Sequence, residues 1–326
     1  MNKISTLFKQ ATQANAHSST YVPPALTSSL SKAKKTAHES NSQQGFYAVW
    51  LSDVHLGSID CKAEFLLDFL NNTHCQHLYL VGDIIDIWAL KKRVFWPDSH
   101  QAVLTKILEL AQNGTQVFYI PGNHDELFKA YVNSHFRGIT IAPDYVHQSI
   151  LGKRCLMLHG DQFDSEVCVS RTYAKLGDHL YDVLLWLNRN LHHVRSQLGY
   201  PYWSLASYIK LRVNKAQQAI NSFRDAVIRF ADKQQVDMVI CGHIHQPELS
   251  IHHSGERQII YANDGDWVEN CTLVVETLLG EFQLLKWDEQ NKIPNIIERV
   301  ETDQPLPTAT FQPLQQPLQQ PNQKVA

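Results

Sequence analysis

Five short clusters dense in Asp, Asn and His each stand directly after a run of strand-forming residues, and this arrangement constrains the fold more than any other feature. The clusters are Asp53-Val54-His55, Gly82-Asp83, Gly122-Asn123-His124-Asp125, His159-Gly160-Asp161 and Gly242-His243-Ile244-His245. The preceding runs, residues 46–51, 77–81, 116–120, 154–158 and 236–241, are short, rich in Val, Ile, Leu and Tyr, and lead into turn-forming residues. Helical periodicity fills the gaps: Phe65, Leu66, Phe69 and Leu70 share one face, as do Val103, Leu104, Ile107, Leu108 and Ala111. Alternation of strand and helix predicts an α/β fold with a largely parallel sheet, and such sheets carry ligands at the carboxyl ends of their strands. The five clusters are therefore expected at one sheet edge.

Their chemistry is that of two adjacent cations. Residues two apart project to the same side of an extended chain, so Asp53 and His55 can share a metal, and His243 and His245 repeat the spacing. Asp83 arrives singly on a Gly turn, and a lone carboxylate is suited to bridging two ions with its two oxygens. Mixed oxygen and nitrogen ligation suits manganese, iron or zinc better than calcium. Two such ions roughly 3.5–4 Å apart bind phosphate oxygens and support in-line displacement at phosphorus. A single Asp, His or Asn at a strand end is more often a cap or turn former; five clusters together reverse that reading. The other histidines, such as His100 and His147, lack the spacing and are assigned no chemistry.

In this order the blocks resemble those of the calcineurin-like metallophosphoesterases: D-x-H, GD, GNH-D/E, H and GH-x-H, spanning residues 49–267. Within that superfamily the chain is most similar to the UDP-2,3-diacylglucosamine pyrophosphatases of lipid A synthesis. The shared residues are Ser52-Asp53-Val54-His55-Leu56, Gly82-Asp83-Ile84-Ile85-Asp86-Ile87-Trp88, His159-Gly160-Asp161 and Gly242-His243-Ile244-His245-Gln246-Pro247. Well-known members of that subfamily carry Arg after the metal-binding Asn; this chain has His124, as the wider superfamily does. The resemblance implies two divalent metals, manganese favoured and iron or zinc as alternatives. Asp53, His55, Asp83 and His245 would hold one; Asp83, Asn123, His159 and His243 would hold the other. It implies that His124 stands beside the scissile phosphate, where an imidazole stabilises charge or protonates the departing oxygen. Asp86 would orient it, with Asp125 the competitor. The implied fold is the metallophosphoesterase four-layer sandwich: two packed mixed β-sheets flanked by helices, with a helical cap insertion. Residues 144–151, 258–262, 271–276 and 282–286 are expected to complete the second sheet.

Composition agrees. A chain of 326 residues with 44% hydrophobic content can bury a substantial core as one large domain. A formal net charge of −3 gives no case for nucleic-acid binding. Six cysteines without CxxC spacing read as small apolar residues in a reducing compartment. No transmembrane run or hydrophobic signal core is evident, so a cytoplasmic protein is expected, with peripheral contact at the inner membrane.

The expected domain runs over residues 45–290. Residues 1–44, rich in Ser, Thr, Ala, Gln and Asn, are expected to be a disordered extension, and 302–326, with spaced Pro, Leu and Gln, a disordered tail. Between the His159 and His243 blocks, about residues 163–235, helical patterns predict a lid insertion. No acidic residue occurs between Val183 and Arg224, whereas Arg189, Arg195, Lys210, Arg212 and Lys215 alternate with aromatics. The plain reading is a helical hairpin with a solvated basic face; the charge asymmetry suits a phosphorylated glycolipid or an anionic membrane surface. Expected substrate contacts are Arg93, Asp164, Arg189, Arg195, Arg212 and Lys215. The function expected is hydrolysis of a phosphoric ester or pyrophosphate bond, with a UDP-2,3-diacylglucosamine-type lipid as leading substrate. A soluble phosphodiesterase or phosphoprotein phosphatase is the alternative enzyme, and a non-catalytic, metal-stabilised interaction module the alternative class.

Overall fold

Alternation along the first strand already sets up the layers. In β1 (Gln44–Leu51), Ala48 and Trp50 face one way and Val49 and Leu51 the other, and all four are buried, so both faces of this strand must be covered. In the computed structural model, which describes residues 44–165, 185, 187–205, 208 and 214–300, two sheets and their helices provide that cover.

The first sheet has eight strands in the order β13-β12-β11-β1-β2-β3-β5-β4. Here β2 is Thr73–Val81, β3 Gln116–Ile120, β4 His135–Phe136, β5 Ile139–Ile141, β11 Thr272–Thr277, β12 Phe282–Asp288 and β13 Ile293–Val300. Strands β1, β2, β3 and β5 run parallel, the first three joined through α1 (Ala63–Asn71), α2 (Ile87–Lys92) and α3 (Asp98–Gln112). The second sheet has order β6-β7-β8-β10-β9, with β6 at Tyr145–Gln148, β7 Arg154–Met157, β8 Met238–Cys241, β9 Glu248–Ser254 and β10 Arg257–Asn263. Its parallel pair β7 and β8 needs a crossover, and α4 (Asn214–Lys233) lies between them in sequence.

Three cores follow. Val49, Leu51, Leu78 and Leu80 pack against Leu66, Phe69 and Leu70 of α1 and Val103 and Ile107 of α3. Ala48, Trp50, Tyr79, Val81 and Phe118 meet Cys155, Met157, Met238 and Ile240 between the sheets. Leu156, Val239, Cys241 and Tyr261 pack against Phe223, Val227 and Ala231 of α4 on the far side. The result is the expected helix, sheet, sheet, helix sandwich.

Three expectations change. Of the four strands assigned to the second sheet, β11 and β12 belong to the first, because β11 pairs antiparallel with β1 and β12 follows it as a hairpin. The sheet then continues through β13, past the expected boundary at residue 290. The region assigned to the lid also loses its end: α4 is a crossover helix whose buried face is core, so its Arg224 pairs with Glu248 rather than facing a substrate.

Candidate metal centre

Ligand blocks arrive from both sheets, not from one. Asp53, Asp83 and Asn123 follow β1, β2 and β3 of the first sheet, while His159 and His243 follow β7 and β8 of the second. The site therefore spans the carboxyl-end edges of two stacked sheets. Nor are the short motifs extended. Asp53, His55, Asp83, His243 and His245 all have φ between 50° and 70°. Non-glycine residues adopt this left-handed conformation uncommonly, and its concentration here is backbone strain gathered at one site. Side chains two apart thus converge through a curled backbone.

The space left by absent side chains is filled by ligands. A Cβ on Gly122 would lie 2.3 Å from Asp83 Oδ1, and one on Gly242 would lie 2.2 Å from Asp53 Oδ2. Around that space, Asp53 Oδ1 lies 3.1 Å from His245 Nε2 and 3.8 Å from His55 Nε2. His159 Nε2 lies 3.3 Å from Asp83 Oδ2 and 3.1 Å from Asn123 Oδ1. Ligand atoms of Asp53, His55 and His245 lie within 4.8 Å of one another, and so do those of Asp53, Asp83 and His159. His243 stacks edge-on to His159, ring centroids 5.1 Å apart. Asp53, and not Asp83, is common to both groups.

These residues fit divalent cations. Asp53 Oδ1 and His55 Nε2 are buried without a hydrogen-bond partner, which is costly for polar atoms unless something else satisfies them. The electrostatics agree. Burial opposes charge on Asp53, but the imidazoles of His245, His159 and His55 outweigh it and hold its carboxyl below the usual carboxylate range. Burial likewise works against a charged His159, yet Asp83 and Asp53 push it up to about 10.

Supporting contacts orient the ligands. His159 Nδ1 lies 3.0 Å from the Val81 carbonyl, which turns Nε2 into the site. His55 Nδ1 lies 3.1 Å from Asp86 Oδ2, and the other oxygen of Asp86 lies 3.0 Å from His124 Nδ1. Asp86 is thus the partner of His124. Asp125 is spent elsewhere: it accepts from Gly122 N at 2.6 Å, from Ile84 N at 2.9 Å and from the Tyr119 hydroxyl, tying the GNHD loop to the GD loop. Trp88 packs on His124 with ring centroids 4.2 Å apart.

The expected substrate contacts are placed differently. Asp164 Oδ1 lies 2.6 Å from His243 Nε2, so it partners an expected ligand. Arg189 pairs with Asp60. Arg195 lies over the Tyr200 and Trp203 rings at 5.3 and 5.9 Å. Arg93 is exposed at the end of α2. Arg212 and the side chain of Lys215 lie outside the described residues. Sequence reasoning missed Ser52, whose hydroxyl touches Asp53. It also missed how the buried Asn263–Trp267 loop braces the site: Trp267 N donates to the Asp53 carbonyl at 3.0 Å, and Asn263 Nδ2 to the Gly242 carbonyl at 2.7 Å.

Two relatives are UDP-2,3-diacylglucosamine hydrolases. That of Psychromonas ingrahamii is 27% identical over 244 residues, covering 69% of this chain and 91% of that protein. That of Pectobacterium carotovorum is 25% identical over 244 residues, covering 70% and 94%. Vacuolar protein sorting 29 from Cryptosporidium parvum superposes with a TM-score of 0.40 at 10% identity, covering 78% of this chain and 97% of that one. The calcineurin-like phosphoesterase family matches residues 48–247, a stretch that takes in all five ligand blocks, and the chain belongs to that family.

Proposed function

We propose that this metal-dependent phosphoesterase works with two divalent cations, manganese first among them, and cleaves the pyrophosphate bond of a UDP-2,3-diacylglucosamine-type glycolipid. The observation that carries the reading is the convergence of Asp53, His55, Asp83, Asn123, His159, His243 and His245 beside a His124 already paired with Asp86. The substrate follows from the hydrolase relatives, which align over more than nine-tenths of their own length.

Bound cations would supply charge to offset that building on the phosphate oxygens during displacement. Asp53, His55 and His245 would hold one and Asp83, Asn123, His159 and His243 the other, with Asp53 and Asp83 both facing the shared space. With Nδ1 fixed by Asp86, His124 presents Nε2 to the substrate, where it donates a proton to the departing oxygen. Hydrolysis of the pyrophosphate would place one phosphate on each product. Trp88 shields the other face of the imidazole.

The insertion suits an amphiphile. Leu198, Tyr200 and Trp203 are exposed on it, and a lipid-tailed substrate would bring this face to an anionic membrane surface from the cytoplasmic side. Among the described residues no helix is long and apolar enough to cross a membrane.

His124 favours a second reading, a soluble phosphodiesterase or phosphoprotein phosphatase, because an imidazole and not a guanidinium stands at this position. One assay separates the two. With added manganese, the protein is expected to release UMP from UDP-2,3-diacylglucosamine; turnover of bis(p-nitrophenyl) phosphate without UMP release overturns the glycolipid assignment and leaves the soluble reading.

A further inference from the structure

Ser52 places one hydroxyl between two carboxylates. Its Oγ lies 2.6 Å from Asp53 Oδ2 and 2.5 Å from Asp264 Oδ1, contacts that join residues 212 positions apart. A serine hydroxyl carries one hydrogen. It can satisfy one of these oxygens, so the other contact needs a proton from the carboxyl side. Three observations say which carboxyl supplies it.

Asp53 has the surroundings of an ion. Its Oδ2 accepts the His243 amide at 2.8 Å and its Oδ1 faces His245 and His55. Asp264 has those of an acid. It is fully buried and its Oδ2 has no hydrogen-bond partner. A buried ionised carboxylate with one bare oxygen is among the costlier arrangements a protein can hold. Burial pushes the Asp264 carboxyl well above the usual range. Two carboxylates on one hydroxyl are thus driven to different protonation states by their environments.

We propose that Asp264 is a positioning residue held as a neutral carboxylic acid: it donates its proton to Ser52 Oγ, Ser52 donates to Asp53 Oδ2, and Asp53 Oδ1 is thereby turned toward the cation. The relay also spares the site a further negative charge. Asp264 N donates to the Cys241 carbonyl at 3.1 Å, which seats the acid beside the strand that leads into His243 and His245. The inference rests on the cation reading in that a metal must be held by Asp53.

Manganese titrated calorimetrically into the chelator-treated full chain tests it, with Asp264→Asn, Asp264→Ala and Ser52→Ala alongside. The asparagine amide keeps a donor without a charge, so Asp264→Asn is expected to bind manganese within about threefold of the parent. Asp264→Ala and Ser52→Ala are expected to weaken binding by roughly 10–100-fold, the range for losing an outer contact to a ligand. If Asp264→Asn binds as weakly as Asp264→Ala, the residue acts as a charge and the proposal is overturned. It is equally overturned if all three variants bind like the parent. Should Asp264→Ala fail to fold, infrared difference spectra decide: a protonated-carboxyl band in the parent must vanish in Asp264→Asn, and its absence from the parent overturns the idea. A parent that binds no manganese removes the cation reading itself, a distinct outcome.

Discussion

Asp86 and His124 face each other across 3.0 Å, Oδ1 to Nδ1, and the same carboxylate holds His55 with its second oxygen at 3.1 Å. One side chain thus fixes both an expected metal ligand and the expected acid. Burial works against its charge, but bonds to His124 and His55 and the amide of Ala89 hold its carboxyl below the usual range. Substitutions on the two sides of this pair should therefore separate. His124→Ala is expected to lower turnover by roughly two to four orders of magnitude with metal content unchanged. Asp86→Ala should lose turnover and also weaken metal binding through His55. Elemental analysis beside initial rates reads both; metal loss in His124→Ala would make that imidazole a ligand.

Asp83 offers a sharper separation. Its Oδ1 accepts the His124 amide at 2.8 Å while Oδ2 faces His159 at 3.3 Å. Asp83→Ala should abolish metal occupancy, since it removes a charge facing the space the cations would share and frees the GNHD loop. Asp83→Asn retains the amide contact and loses only charge. Metal content in Asp83→Asn should fall less than in Asp83→Ala, and two metals per chain in Asp83→Ala would sink the assignment.

How far these relationships were legible beforehand depends on their range. Asp53, Asp83 and His243 stood out because each ends a strand run, a local signal. The left-handed backbone at Asp53 and His55 did not, because spacing in sequence is equally compatible with an extended or a curled chain. Sheet membership of β11 is a choice of partner across more than two hundred residues, and a strand buried on both faces fits either sheet. Ser52 and Asp264 belong to ordinary turn-forming sequences, and only the fold brings them together.

His159 makes metal-free stability depend on pH. Its folded value, about 10, lies above the ordinary 6.5, so the stabilisation it contributes is complete below pH 6.5 and is lost as pH rises through about 10. The chelator-treated protein should accordingly melt at progressively lower temperature across that window, and His159→Ala should flatten the slope. Cation binding requires a neutral imidazole, so manganese uptake should release this proton and tighten as pH rises. An equal slope in His159→Ala would refute the assignment.

Gly122→Ala tests the shape of the cradle. The new methyl would lie 2.3 Å from Asp83 Oδ1 and 2.7 Å from the His159 ring, pressing on two ligands at once. Overpacking of this kind costs about 1–3 kcal/mol. Manganese affinity is expected to drop while circular dichroism retains the folded signature. Unchanged affinity would mean that the loop shifts freely, contrary to its anchoring by Asp125.

Phe223 decides whether α4 is lid or core. It is fully buried, packs against Phe163, stands beneath Gly160 closely enough that a Cβ there would meet it at 2.8 Å, and lies 6.0 Å from the His243 ring. Phe223→Ala removes a large ring from the layer that backs the second-sheet ligands, at a cost of about 3–5 kcal/mol. Leu198→Ala, on the exposed part of the insertion, should change stability by less than about 0.5 kcal/mol. Substrate dependence should run the other way: Leu198→Ala is expected to slow action on the glycolipid and spare a small diester, because chemistry at phosphorus needs no apolar surface. Urea unfolding and paired assays measure the two effects. If Phe223→Ala were as stable as the parent, α4 would have to detach from the sheet without loss, and the four-layer core would be wrong at that face.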